Sequence, residues 1–377
     1  MTTILAVGDI VLDEPEPDSF FDPSRAALAA GDVVIGHVEV PHSTTTVQTS
    51  TDVPAPPADP AALGALARAG FHIATLAGNH IADAGPEGVL DTVRHAREHG
   101  LVTTGAGAGL AAARQPAVVT GAGRSVAVLS YNCVGPRESW ATSAKPGCAY
   151  VHVLTHYELD HASPGGPPNI YTFADPDSLE RMRDDVARAK READVVVVAL
   201  HKGIGHTPAA IAMYERPVAQ AAVDAGADAV VAHHAHIMRG IEMYRGRPIY
   251  HGLGNFVTVT RALTPSGDDD SPERAEWARR RVELYGFTPD PDMPYYPFHP
   301  ESRNTVIASV EVDDDGVRAG LVPCLIDDRG RPVPLTRDTG GEEVVEYVRD
   351  ITRRAGLHTR FEWAGESVVT VREEEEL

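Results

Sequence analysis

The chain has 377 residues, and 33 Lys and Arg against 54 Asp and Glu leave a formal net charge of −21. Hydrophobic residues make up 43 % and glycine adds 34 more positions, enough apolar material for a packed core and too much for disorder throughout. A body this acidic repels phosphate backbones and no Lys/Arg run offsets it, so nucleic acid is excluded as a general partner.

Ile4 to Val7 reads as a short strand ending in Gly8-Asp9, and residues 24–30 as a short helix. Val33-Val34-Ile35 is a second strand, ending in Gly36-His37, before a Thr/Pro/Ser-rich loop over 41–60. A helix from Pro60 to Ala69 leads to a third strand, His72 to Leu76, which ends in Gly78-Asn79-His80. The helix from Pro86 to His99 opens with proline and stops at Gly100. Strands at 117–120 and 125–130 flank a glycine turn, and 132–170 reads as a long irregular stretch. A helix over 176–192 precedes the strongest strand, Ala193 to Leu200, which ends at His201. A helix over 208–225 precedes Ala229-Val230-Val231, which ends at His233-His234. Strands alternating with helices, and nearly continuous apolar strands, predict α/β layers with sheets buried on both faces.

Residues 261–303 break this rhythm with Asp268-Asp269-Asp270 and a Pro/Tyr-rich run, and read as an insertion or lid. Strands at 305–312 and 317–323 predict a hairpin around Asp315-Gly316. A helix over 341–355, a strand at 367–371 and a solvated Glu373–Glu376 tail follow. One catalytic unit is expected over 1–326, with 327–377 as a small C-terminal extension.

Cys133, Cys148 and Cys324 form no CxxC pair, so neither a disulfide framework nor a zinc ribbon is indicated. No basic leader precedes Ile4 and no run approaches 18 apolar residues, so a cytoplasmic protein without a membrane partner is expected. The 17 histidines are the unusual feature. Five strand ends carry groups able to bind metal: Asp9; His37 with Glu39; Asn79 with His80; His201; and His234 with His236. In open α/β sheets the carboxyl ends of strands gather on one edge, where ligands bind. Carboxylates, an amide oxygen and imidazoles without a thiolate favour one or two catalytic divalent ions, Mn, Fe or Zn, over a structural zinc.

The order and spacing of several motifs resemble the CapA family, named for poly-γ-glutamate capsule synthesis, whose fold is similar to the calcineurin-like metallophosphoesterases. The motifs are Gly8-Asp9, Gly36-His37-Val38-Glu39-Val40-Pro41, Ala77 to Gly85, Thr104 to Gly107, and Arg114-Gln115-Pro116. They continue in His201-Lys202-Gly203, Asp224 to Asp228, His233 to His236, Pro248-Ile249-Tyr250, and Leu253-Gly254-Asn255-Phe256. The resemblance implies a four-layer α/β/β/α sandwich with a lid insertion. It implies metal ligation by Asp9, Glu39, Asn79, His201, His234 and His236, and proton transfer by His80 with Asp83 orienting it. His37, His206, His251, Asn255 and Lys202 are further candidates for the site.

The chain departs from the family pattern at Asp9-Ile10-Val11, which lacks the phosphoesterase histidine. It departs again at His37 in place of asparagine, at Gly205 in place of glutamate, and at His251-Gly252 in place of Tyr-Ser. These changes predict an altered substrate on the shared scaffold. The expected activity is hydrolysis by a metal-bound hydroxide of an amide, γ-glutamyl or peptide-like, or of a phosphoester. The expected partner is a small-molecule or short peptide-like substrate, with a homo-oligomer as a further expectation. Amide formation or group transfer at the same centre, and a non-catalytic capsule or polymer assembly role, are the competing readings.

Overall fold

In a computed structural model of the chain, residues 1–50, 56–260 and 272–374 are described, except for the side chains of 273, 274 and 277. Asp268–Asp270 and the end of the glutamate tail lie outside them.

Side-chain alternation in the buried strands decides the architecture. Along Val195–Lys202, Val195, Val197 and Ala199 join one apolar cluster, while Val196, Val198 and Leu200 join another. A strand that is apolar on both faces must be covered on both. The first cluster also takes Ile4, Ala6, Val33, Ile35 and Ile73 from strands of a second sheet, so it is the seam between two sheets. The opposite faces are covered by helices: Ala62–Ala69 and Gly85–Glu98 on one sheet, Pro176–Glu192 and Glu215–Asp224 on the other. The result is the α/β/β/α sandwich that the sequence predicts.

The larger sheet has ten strands and the smaller six. In the larger, Thr2–Leu12 is central. It pairs in parallel with Val33–Val38, which leads on to Ile73–Thr75 and Val102–Thr104. Its other edge changes partner midway: Thr2 to Ala6 pair antiparallel with Asn304–Asp313, and Asp9 to Leu12 pair in parallel with Asn255–Val259. The changeover falls at Gly8-Asp9. A Cβ on Gly8 would lie 2.1 Å from the Gly254 carbonyl oxygen, so only glycine lets the two backbones approach there. The smaller sheet is built around Val195–Lys202, flanked in parallel by Arg124–Asn132 and Ala229–His234. The carboxyl ends of its central strands meet those of the larger sheet at one end of the sandwich.

Three local expectations are corrected. Residues 132–170 are not wholly irregular: Val153–Glu158 pairs with Asn169–Ala174 as a separate hairpin. The helix expected over 208–225 begins only at Glu215. Beyond the expected strand at 367–371, which runs Val369–Glu373, Thr359–Trp363 supplies a further one. Both continue the larger sheet through the Gly316–Ile326 edge.

Candidate metal centre

The alternation that builds the seam also delivers the site. His201 continues the row Val195, Val197, Ala199 into the space between the sheets, and His37 continues Val33 and Ile35 from the opposite side. Asp9 stands at the partner change of the first strand, with its backbone N–H donating to Gly254 O at 2.9 Å. By strand parity His234 would face the helices. Instead the chain turns there, with φ of 89° at His234 and 53° at His236, and both rings enter the cluster. Non-glycine residues in this region are strained and concentrate at functional sites.

Asp9, Glu39, Asn79, His201, His234 and His236 converge as one group. Asn79 Oδ1 lies 2.7 Å from His201 Nε2, which lies 3.1 Å from His234 Nδ1 and 4.0 Å from Glu39 Oε1. Glu39 Oε1 is 3.3 Å from His236 Nε2, and His236 Nδ1 is 3.5 Å from Asp9 Oδ2. Ligand atoms held about 2.1 Å from an ion lie roughly 3–3.5 Å from one another; the His201–His234, Glu39–His236 and Asp9–His236 spacings fall in that range, and the 2.7 and 4.0 Å ones lie to either side of it. Among the described residues three overlapping sets could each hold an ion: Asp9, His37 and His201; Glu39, His201 and His234; and Asp9, Glu39 and His236. Asp9, Glu39 and His201 each occur in two of them.

The polar groups of this cluster fit a cation better than they fit one another. Neither Glu39 oxygen, nor His37 Nε2, nor His201 Nδ1 makes a well-formed hydrogen bond, although all are buried. Leaving such groups unpaired costs about 1–3 kcal/mol each, more when charged. Burial, with the Glu39 carboxylate beside it, pushes the Asp9 carboxyl well above its usual range. Glu39 sits at about 2, because His236 outweighs the effect of burial. Burial and the neighbouring imidazoles hold His37 and His201 well below 6.5, and hold His234 at about 4. Neutral imidazole is the ligating form. Only His236 is pushed up, to about 9, where Glu39 and Asp9 overcome burial. Two buried carboxylates call for positive charge, which His236 supplies in part and which makes the cluster compatible with a divalent ion.

Outer contacts fix the rings. His37 Nδ1 donates to Thr75 Oγ1 at 3.1 Å, since that hydroxyl itself donates to Gly36 O, and this leaves Nε2 as the lone-pair nitrogen. Asn255 Oδ1 lies 2.9 Å from His236 Nδ1, while its amide nitrogen donates to the Tyr296 hydroxyl at 3.0 Å. Asn255 therefore orients the His236 ring, and it ties the 289–300 run to the centre. His80 Nδ1 is 2.7 Å from Asp83 Oδ2 beside the cluster, the orienting contact expected of that pair.

Other candidates lie apart from the metal-capable groups. Lys202 follows the parity of Leu200, faces the helices, and donates to Glu215 Oε2 at 2.8 Å. His251 lies 3.1 Å from Lys202 Nζ and 2.9 Å from Glu242 Oε2. Both belong to a buried ion network with Arg239, and the structure does not bring them to the centre. His206 stacks beside His236 with ring centroids 5.8 Å apart, but it lies in none of the three sets. His233, not among the expected site residues, stacks on His37 at 4.6 Å and meets Val7 O through Nε2 at 3.0 Å. Its signal in the sequence was parity: it continues the row Ala229, Val231. Among the described residues no helix is long and apolar enough to cross a membrane.

The model of the bacterial capsule synthesis protein PGA_cap family matches residues 3–260. A probable polyglutamine synthesis accessory protein of Mycobacterium tuberculosis is 35 % identical over 193 residues, covering 49 % of this chain and 45 % of the relative. The PGA biosynthesis protein CapA of Bacillus subtilis is 28 % identical over 262 residues, covering 67 % and 62 %. The chain thus spans about half the length of the curated relatives it matches. A calcineurin-like phosphoesterase of Bacillus subtilis superposes with a TM-score of 0.33 at 12 % identity, covering 94 % of this chain and 98 % of that one. With the family motifs running from Asp9 through Asn255, and with the family model spanning that whole stretch, the chain belongs to the bacterial capsule synthesis protein PGA_cap family.

Proposed function

We propose that the chain is a metal-dependent hydrolase acting on an amide bond of a glutamate-like or peptide-like substrate. The observation that carries this reading is the Glu39 carboxylate: fully buried, with neither oxygen in a well-formed hydrogen bond, and faced by His201 and His234 held neutral while His236, 3.3 Å away, is the charged imidazole beside it. His236 reaches only one of the two Glu39 oxygens, and a purely structural carboxylate this deeply buried would have partners for both. When bound, one or two ions of Mn, Fe or Zn supply Lewis acidity to the scissile group and to water.

The chain's own residues do the rest. Asp9, Glu39, Asn79, His201, His234 and His236, joined by His37, hold the ions. Asn255 and Thr75 keep two of those rings in the ligating tautomer. Asp83 accepts the Nδ1 proton of His80 and fixes its ring, so that Nε2 is the nitrogen that passes a proton to the leaving group. An amide is favoured over a phosphoester by the strongly acidic exterior and by Val11, which stands where phosphoesterases carry a ligating histidine. The relatives' names, which speak of polyglutamine and PGA synthesis, point to glutamate-derived chains as the substrate class.

The test is metal analysis of the purified chain, followed by activity screening on γ-glutamyl amides and phosphodiesters. The expected result is one or two divalent ions per chain and amide cleavage, both lost in His234→Ala. A chain that binds no divalent ion, or a His234→Ala variant with unchanged activity, overturns the reading. Because the relatives' names describe synthesis, products should also be analysed with an amine acceptor present. Amide formation in place of cleavage would assign transfer to the same centre.

A further inference from the structure

Among the imidazoles of the metal-capable sets, His37 differs from the others in how it reaches the centre. His201 and His234 end strands of the smaller sheet, and His236 follows in the turn beyond. His37 comes from the larger sheet, on Val33–Val38, and stands where the family pattern carries asparagine. Its ring is fixed on several sides. Nδ1 donates to Thr75 Oγ1 at 3.1 Å, and that hydroxyl donates on to Gly36 O at 3.3 Å. His233 stacks on one face, with centroids 4.6 Å apart and 23° between the planes, and is itself pinned by donating from Nε2 to Val7 O. What is left is His37 Nε2, a buried lone-pair nitrogen without a hydrogen-bond partner.

Gly78 keeps room beside that nitrogen. A Cβ there would lie 3.3 Å from His37 Nε2 and 3.5 Å from His201 Nδ1, which is also buried and without a partner. Gly78 does not have a positive φ, so glycine serves here for space and not for a turn. With Asp9, the two rings form a set whose ligand atoms lie within 4.8 Å of one another. A lone-pair nitrogen is satisfied by a donor or by a cation, and packing against other rings supplies neither.

The donor types decide which cation. Imidazole suits zinc, whereas carboxylate and carbonyl oxygens suit manganese and magnesium. Asp9, Glu39 and His236 form an oxygen-rich set, while Asp9, His37 and His201 offer two nitrogens to one carboxylate. Without His37 that nitrogen-rich set does not exist. We propose that His37 is a metal-selecting ligand, which gives this centre a nitrogen-rich position and raises its preference for zinc over manganese. The assignment rests on the metal-dependent reading above and deepens it by choosing among its ions.

The experiment measures zinc and manganese affinities of the full chain by competition with a chromophoric chelator. Zinc-edge X-ray absorption, which counts imidazoles at the bound ion, accompanies it. A site of nitrogen and oxygen donors binds zinc more tightly than manganese in any case, so the quantity read is the ratio of the two affinities. That ratio should fall about tenfold in His37→Asn, with fewer imidazoles counted per zinc. Thr75→Val removes the acceptor of the Nδ1 proton at nearly constant size, and should lower the ratio in the same direction by about threefold. If His37→Asn does not fold, the Thr75→Val ratio decides. An unmoved ratio and an unmoved imidazole count overturn the assignment and leave His37 as a packing residue. Failure of the metal reading looks different: the wild-type chain would bind neither ion, and both proposals would fall together.

Discussion

At the scale of single residues, the centre is defined by which groups lack partners. On the proposed hydrolase reading, His80 and Asp83 would be the pair whose role separates chemistry from metal binding. Asp83→Asn keeps the shape but loses the negative charge and can present its NH2 to Nδ1, so the ring can turn or adopt the wrong tautomer. A 10- to 100-fold fall in kcat is expected, with the metal content unchanged. Steady-state kinetics beside metal analysis would check this, and an unaltered kcat would remove Asp83 from the mechanism. The convergence of Asp9, Glu39, Asn79, His201, His234 and His236 was legible in the sequence because each sits at a strand end. Lys202 and His251 were legible only as neighbours of such ends. Their side chains follow the opposite parity to His201, and the motif order carries no sign of that. His233 was hidden for the converse reason: adjacent to His234 in sequence, it faces the seam by alternation and buttresses His37.

At the scale of elements, the first strand carries the tightest constraint. It changes neighbour at Gly8-Asp9, and the Gly254 carbonyl occupies the space of a side chain at residue 8. Gly8→Ala should therefore force the two strands apart, costing about 1–3 kcal/mol or more, and should shift Asp9 away from the other metal-capable groups. Urea midpoints and metal affinity measured together would show it; a stable variant with unaltered affinity would contradict the geometry. The buried strands were read correctly because continuous valine runs leave little choice. The Val153–Glu158 and Asn169–Ala174 hairpin was missed because its residues mix Thr, His, Tyr and Glu with few apolar neighbours, and its loop holds Pro164-Gly165-Gly166-Pro167-Pro168. Its pairing is a tertiary fact without a strong local signature.

At the scale of the whole molecule, residues from distant parts of the smaller sheet share one buried ionic network beneath its helices. Glu215 is held at about 2, as Lys202 and Arg239 outweigh burial, and Glu242 likewise at about 2 through His251 and Arg216. Each carboxylate contributes stability above its usual 4.5 and loses it as pH falls toward 2. Burial, then Lys202, hold His251 at about 4. Below 6.5 the unfolded chain gains a proton that the fold refuses, so stability again falls with pH. All three act in the same direction. The metal-free chain should lose stability on the order of a few kcal/mol between pH 7 and 4, and the fall should be smaller in His251→Gln. Urea titrations at several pH values would measure it, and an equal fall in the variant would exclude His251 as a contributor.

The central place of the first strand has a consequence in time. Thr2 pairs with Val312, so that strand leaves the ribosome roughly 300 residues before the neighbour that flanks it. At about 5–20 residues per second that delay lasts some 15–60 seconds. During it Asp9 has neither the Asn255–Val259 strand nor His236 beside it for most of the interval. A nascent chain thus exposes an open sheet edge and an incomplete cluster of metal-capable groups together. Its safe passage depends on what guards that edge until translation passes residue 313.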